Sequence, residues 1–228
     1  LENILKKKET PFYIYSFDQI KQNIKQIKSS FRNFKPLICY AIKANSNLSI
    51  LKELKKNNLG ADVVSIGELK LALKAGIKSK KIVFSGVGKT DKEIKFAIQK
   101  DILSINAESK NEIKLINNIS KNLNKITNIG IRINPNIIAK TNRKITTGNK
   151  VNKFGISILE FLDVIQNRND YQNINIFLLS VHIGSQIKEI KVYKKVLNLI
   201  SEILIKLRRL GHSITYVDFG GGMGIPYF

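Results

Sequence analysis

With 228 residues, 43% of them apolar, the chain can bury one sizeable core, and one domain is the natural expectation. One cysteine excludes an internal disulfide framework, the first eleven residues lack the apolar centre of a signal peptide, and no apolar run reaches the roughly 18 residues of a membrane helix, so the default address is the cytoplasm. The formal charge of +22 by itself suggests a nucleic-acid or anionic-surface partner, but the lysines (Lys21, Lys25, Lys28, Lys52, Lys55, Lys56, Lys92 and Lys95 among them) are scattered without an aromatic platform, which describes a solvated basic surface.

In chain order, Phe12–Tyr15 reads as a first extended piece. Ile20, Ile24, Ile27 and Phe31 fall at helical spacing and predict a helix over Gln19–Phe31. From there β-branched runs alternate with amphipathic stretches. Strand Leu37–Ile42 precedes helix Leu48–Lys56, strand Ala61–Val64 precedes helix Gly67–Lys74, and strand Lys81–Phe84 precedes helix Asp91–Gln99. Strand Ile102–Ile105 leads to helix Ser109–Ile119, which carries a serine cap. Strand Ile126–Ile133 enters a long polar loop, residues 134–153. Helix Ile158–Ile165, strand Ile174–Ile183, helix Tyr193–Leu210 and strand Ile214–Phe219 follow, and Gly220-Gly221-Gly222 breaks the last strand.

Seven nearly continuous apolar strands alternating with helices imply parallel β–α units covered on both faces. The order is that of an α/β fold, a (β/α)8 barrel missing its last unit. An open doubly wound sheet is the alternative, weakened because no Gly-x-Gly-x-x-Gly follows the first strand. Leu1 is not Met, and a barrel without its last strand leaves two unpaired edges, so the chain is expected to be a piece of a longer protein.

In a parallel barrel, chemistry gathers where strands end in their βα loops. Lys43 follows the apolar run Leu37–Ile42, where a partly desolvated amine favours its neutral form and can make a Schiff base. The alternative is a lysine snorkelling from a strand end. Of the two histidines, His182 lies at the C-terminal end of a strand, the active end, whereas His212 precedes a strand and reads as a turn residue. Gly220, Gly221 and Gly222 would let backbone N–H groups approach an anion, with Gly184 and Ser185 as further donors. Arg132 interrupts an apolar run and needs a partner, either a cofactor oxygen or a structural carboxylate. Asp62 and Glu68 flank Val63-Val64-Ser65, and Glu68 could equally start a solvated helix. Cys39 sits inside an apolar strand and reads as core, not as a nucleophile.

A set of segments runs in order over nearly the whole chain: Thr10-Pro11-Phe12-Tyr13-Ile14-Tyr15, Cys39-Tyr40-Ala41-Ile42-Lys43-Ala44-Asn45-Ser46-Asn47, Ala61-Asp62-Val63-Val64-Ser65, Phe84-Ser85-Gly86-Val87-Gly88-Lys89, Arg132-Ile133-Asn134-Pro135, Asn152-Lys153-Phe154-Gly155, His182-Ile183-Gly184-Ser185-Gln186 and Asp218-Phe219-Gly220-Gly221-Gly222-Met223-Gly224. Together they resemble the diaminopimelate decarboxylases, pyridoxal-phosphate-dependent enzymes built on an alanine racemase-like barrel.

The resemblance implies that Lys43 holds pyridoxal 5'-phosphate as a Schiff base and that His182 stacks on its ring, these two being catalytic. It puts Gly220, Gly221, Gly222 and Ser185 on the phosphate, adds Asp62 and Arg132 to the cofactor-binding set, and implies no metal. The 134–153 loop, with Thr146, Thr147 and Gly148, would lie over the site, though Asn142 follows Thr141 where the family often has a histidine. The implied substrate is meso-2,6-diaminopimelate, decarboxylated at its D-configured centre to L-lysine by a homodimer with no nucleic-acid or membrane partner. Residues 17–228 would form the incomplete barrel, and residues 1–16 a segment whose Tyr13–Tyr15 strand joins a second, mostly β, domain. The family's Glu-Pro-Gly-Arg and Cys-Glu-Ser segments would fall beyond residue 228, which implies an N-terminal piece with little or no activity alone. The alternatives are an ornithine, arginine or carboxynorspermidine decarboxylase and a non-catalytic pyridoxal-phosphate-binding barrel.

Overall fold

The computed structural model describes residues 2–137 and 154–225. Thr141, Asn142, Thr146, Thr147, Gly148 and most of the 134–153 loop lie outside the described residues. A short helix α1 (Glu2–Leu5) and helix α2 (Phe17–Ser30) lead into alternating strands and helices. These are β1 (Cys39–Ala41), α3 (Leu48–Lys56), β2 (Gly60–Val63), α4 (Ile66–Lys74), β3 (Ile82–Phe84), α5 (Asp91–Gln99), β4 (Ser104–Ala107) and α6 (Lys110–Asn122). Strand β5 (Thr127–Arg132), α7 (Ile158–Gln166), β6 (Ile174–Ser180), α8 (Ile190–Arg209) and β7 (Tyr216–Asp218) complete the order.

All seven strands form one parallel sheet in chain order, β1 to β7. The sheet is curled. In a flat sheet β4 and β7 stand three strand spacings apart, about 14 Å. Here Asn106 Nδ2 of β4 donates to Asp218 Oδ2 of β7 at 3.3 Å, a side-chain contact that only a closing sheet allows. Strands β3 and β4 are buried throughout, whereas β1 and β7, the two ends of the sheet, are only half-buried. The inward faces of the helices supply the rest of the core, with Phe84 and Phe161 its bulkiest fully buried side chains.

Helix starts are set locally. Four of the helices that follow strands open on a Ser/Thr-x-x-Glu pattern: Ser65/Glu68, Thr90/Glu93, Ser109/Glu112 and Ser157/Glu160. In each, the hydroxyl accepts from the glutamate's backbone N–H while the carboxylate reaches back to an amide at the helix entrance, which satisfies orphan donors. Glu68 is therefore a helix-start residue, taking the Val64 N–H at 2.8 Å.

Several boundaries differ from the sequence expectation. Residues 12–16 join no strand, and Tyr13 is 90% exposed. The Leu37–Ile42 strand shortens to Cys39–Ala41, because Ile42–Ala44 forms a 3-10 turn. Strand β4 begins two residues after Ile102, since its inward positions are the polar Ser104 and Asn106 rather than a continuous apolar run. Strand β6 stops at Ser180, short of the expected Ile183, and α8 starts at Ile190, three residues before Tyr193.

Candidate active site

Because every strand runs the same way, the ends of β1, β2, β6 and β7 meet at one rim, and the candidate residues lie there. Lys43 sits in the 3-10 turn just after β1. The Asn-Ser-Asn that follows builds the turn into α3: Asn45 Oδ1 accepts from the Asn47 N–H at 2.9 Å, and Asn47 Oδ1 accepts from the Ser49 N–H at 2.9 Å. These short Asx contacts fix the backbone around Lys43 and leave its amine exposed.

Asp62, paired with Ala41 across the β1–β2 ladder, faces the same rim. Its carboxyl is pushed up to about 6, first by burial; the Ser85 hydroxyl and the Lys43 ammonium oppose the rise, and the Asp218 and Glu68 carboxylates add to it. One oxygen, Oδ1, is buried with no hydrogen-bond partner. An orphaned buried oxygen of this kind costs free energy unless a donor meets it.

His182 lies two residues past β6. Its Nδ1 accepts from the Gly221 N–H at 3.4 Å, and its carbonyl accepts from Arg132 Nη2 at 3.4 Å. Burial and then the positive charges of Arg132 and Lys43 push the imidazole down to about 4, so it is neutral at physiological pH. Both Asp62 and His182 lie within electrostatic reach of Lys43.

The glycine turn closes the rim. Gly220 has φ +62° and Gly222 φ +85°, backbone conformations that side chains disfavour. A Cβ on Gly220 would press on His182 Nδ1 at 2.6 Å, and one on Gly222 would overlap the Gly184 carbonyl oxygen. At Gly221, by contrast, a Cβ would meet open space. The loop after β6 is zipped to this turn by Ile187 N–H to Gly222 O at 2.8 Å and Gly224 N–H to Ile187 O at 3.0 Å. Ser185 is exposed beside it. The result is a cradle of closely approached backbone with one open face, the shape an anion needs.

Asp218 explains why the turn stands where it does. Its Oδ1 takes the Gly220 N–H at 2.7 Å, and its Oδ2 takes Asn106 Nδ2 and Ser180 Oγ, each at 3.3 Å. These residues form a polar floor inside the curl.

Arg132 pairs with a carboxylate: Nη1 donates to Glu108 Oε1 at 2.8 Å, and Phe154 covers the guanidinium at 4.9 Å. Sequence reasoning had left its partner open. Asp218, Glu108, Asn106 and Ser180 were not singled out, although polar residues inside strands otherwise apolar were a readable signal. His212 stands apart in the turn between α8 and β7, its Nδ1 3.0 Å from Arg168 Nη1. Cys39 is half-buried in β1; burial, then the Asp218 and Asp62 charges, push its thiol up to about 12, which suits no nucleophile.

Two cavities lie near these elements. One of about 370 Å³ adjoins the glycine turn and is lined by Ile187, Tyr193, Met223 and Ile225. The other, about 280 Å³, is lined by Lys28, Lys35 and Lys81 at the opposite end of the strands. Lys28 and Lys81 there donate to the carbonyls of Asn57 and Asn58, just past the C-terminus of α3, so their charge is already used by a helix end.

Residues 17–228 match the pyridoxal binding domain of the pyridoxal-dependent decarboxylases, and the chain belongs to that family. Among curated relatives it is 44% identical over 222 residues to the diaminopimelate decarboxylase of Campylobacter jejuni and 45% identical over 226 residues to that of Helicobacter pylori strain J99. These alignments cover 96% and 99% of this chain but 54% and 56% of the relatives, so the chain spans about half their length. The crystal structure of the Helicobacter pylori diaminopimelate decarboxylase complexed with L-lysine superposes with a TM-score of 0.96 at 45% identity, over 99% of this chain and 57% of that one.

One prediction tests the cradle. Gly222→Ala should destabilise the fold by roughly 2 kcal/mol, from the left-handed backbone and the overlap with Gly184. Gly221→Ala should leave urea unfolding within about 0.5 kcal/mol of the parent, because space is open there, yet weaken pyridoxal phosphate binding at least tenfold. Equal stability losses in both variants, or unchanged cofactor affinity in Gly221→Ala by fluorescence titration, would contradict this division.

Proposed function

We propose that this chain is the cofactor-binding part of a decarboxylase that converts meso-2,6-diaminopimelate to L-lysine. The observation that carries the reading is the meeting of Lys43, His182 and the Gly220–Gly222 turn at one rim of a curled parallel sheet. Its support in sequence is the 44–45% identity to diaminopimelate decarboxylases over nearly the whole chain.

The residues present fit pyridoxal 5'-phosphate. The glycine cradle has an open face at Gly221, and the buried Asp62 oxygen awaits a donor. When bound, the cofactor supplies an aldehyde for attachment and an electron sink for the electron pair left by departing carbon dioxide. Lys43 provides the attaching amine. The Asp62 carboxyl lies within electrostatic reach of that amine. His182, neutral and pinned by the Gly221 N–H, offers a flat face to the ring without adding charge. The Gly220–Gly222 turn would cradle the phosphate, with the Gly220 and Gly221 N–H groups given to Asp218 and His182 and the Gly222 N–H and Ser185 hydroxyl left to meet it, and Arg132 supports the site through the His182 carbonyl.

The finer fold reading is an alanine racemase-like (β/α)8 barrel that lacks its last βα unit and a C-terminal β domain, with residues 1–16 serving that second domain. Exposed Tyr13, Ile14 and Tyr15 support an outward role for this segment. The complete protein is read as a cytoplasmic homodimer.

The test is a substrate panel on the longest natural polypeptide carrying this sequence. Carbon dioxide release should be at least about a hundredfold faster from meso-diaminopimelate than from lysine, ornithine or arginine, because a site built for polar groups rejects analogues that leave them unpaired. Faster turnover of ornithine or arginine would overturn the substrate assignment.

A further inference from the structure

We infer that a buried chain of four charges, Lys89–Glu112–Glu108–Arg132, positions His182, so that the placement of the imidazole depends on a lysine remote from it in the chain of contacts. The inference rests on the assignment of His182 to the pyridoxal phosphate site. The links are short. Lys89 Nζ donates to Glu112 Oε1 at 2.7 Å, and Glu112 Oε2 accepts from the Glu108 N–H at 2.8 Å. Glu108 Oε1 accepts from Arg132 Nη1 at 2.8 Å, and Arg132 Nη2 donates to the His182 carbonyl.

The side chains are 1%, 10%, 3% and 10% exposed, in that order along the chain of contacts. Two cations face two anions, so the set is neutral, and each member would be left as an uncompensated buried charge without its neighbour. The Lys89 ammonium also donates to the carbonyls of Gly86 and Asn106, so all three of its protons are used and none is left for a ligand. Glu108 takes the Gly86 and Gly155 N–H groups, both at 3.2 Å. The network thereby ties the segments that follow β3, β4 and β5 to the one that carries His182. A core needs no ions for this purpose; apolar side chains of the same volume would pack as well. What ions add is direction, because a planar guanidinium shared between Glu108 and a carbonyl permits one placement of the His182 backbone.

The test follows the imidazole itself in cofactor-free protein. Histidine Cε1 is labelled with carbon-13, and the His182 signal is assigned by its loss in His182→Gln. The charged groups facing His182 are Arg132 from β5 and Lys43 from the end of β1. In the parent, His182 should titrate near 4. In Lys89→Met, Glu112 loses its cation and draws on the Arg132 end, so the guanidinium leaves the His182 carbonyl. The His182 resonance should then move and its midpoint rise by a unit or more, while His212 stays as in the parent. Should Lys89→Met fail to fold, Glu112→Gln reports on the same link, because the Lys89 ammonium then loses its anion and draws on Glu108, which loosens the Glu108 hold on Arg132. Arg132→Lys keeps the cation and its reach to Glu108 but loses the shared geometry, so it should displace the His182 resonance as well. A folded Lys89→Met or Glu112→Gln protein with a lower melting temperature but parental His182 shifts and midpoint would overturn the positioning role. So would a parental His182 signal in Arg132→Lys, which decides the matter if neither other variant folds. Failure of the parent to take up pyridoxal phosphate at Lys43 would instead overturn the functional reading and leave this result untouched.

Discussion

Lys43→Ala is expected to abolish covalent retention of pyridoxal phosphate and, in the longest natural polypeptide carrying this sequence, to lower turnover on the order of a thousandfold or more, because the proposed function makes its amine the one that attaches the cofactor. The turn Ile42–Ala44 is rigidly held, with Ile42 buried and Asn45 and Asn47 tied into the start of α3, so the amine is presented in advance and not found by search. Lys43→Arg separates attachment from charge. It keeps the cation that restrains Asp62 but offers no competent nucleophile, so it should lose the cofactor's visible absorbance as completely as the alanine variant. Borohydride treatment of the parent should fix the cofactor to the peptide containing residue 43. Retention of the absorbance band in both variants would place the attachment elsewhere.

The second large effect concerns acid stability. His182 has a folded value of about 4 against 6.5, so below pH 6.5 the unfolded chain takes a proton that the folded chain refuses. Stability therefore falls as pH drops from about 6.5 to about 4, by roughly 3 kcal/mol in all. Asp62 acts in the opposite sense. Its folded value of about 6 exceeds 3.8, so the folded chain takes the proton first and gains roughly 3 kcal/mol over nearly the same window as pH drops. In the parent the two contributions offset each other. Asp62→Asn should expose the histidine loss, giving a protein that weakens by roughly 3 kcal/mol between pH 6.5 and 4 relative to the parent's own change. His182→Gln should expose the gain and strengthen by a similar amount. Urea unfolding of the three proteins at pH 7, 5.5 and 4.5 measures this, with the remaining carboxylates common to all. Parallel pH profiles for the parent and both variants would show that neither group is perturbed as described.

The secondary structure was legible because its causes are local. Ile20, Ile24 and Ile27 recur at helical spacing, and α3 and α5 fall where their apolar faces put them. The alternation of strands with helices was enough for a parallel sheet, since successive parallel strands need a crossover. The segments missed were those in which polarity serves the interior. Ser104 and Asn106 break the apolar pattern of β4, so the strand was placed two residues early, yet both side chains are buried and bonded. Arg132 was legible as a residue needing a partner. Glu108 was not legible as that partner, because the two lie 24 residues apart and meet only through the register of adjacent strands.

The amino-acid sequence on its own determined the order of elements, their direction and hence the rim at which Lys43, His182 and the three glycines gather, because parallel strands place all their C-terminal ends together. The tertiary structure alone decided how that rim is furnished. The curl of the sheet brings Asp218 across to Asn106, leaves the Asp62 oxygen without a partner and seats Arg132 between Glu108 and the His182 carbonyl. Curl arises from strand twist and packing summed over the whole sheet, a cooperative property that no local window of residues contains.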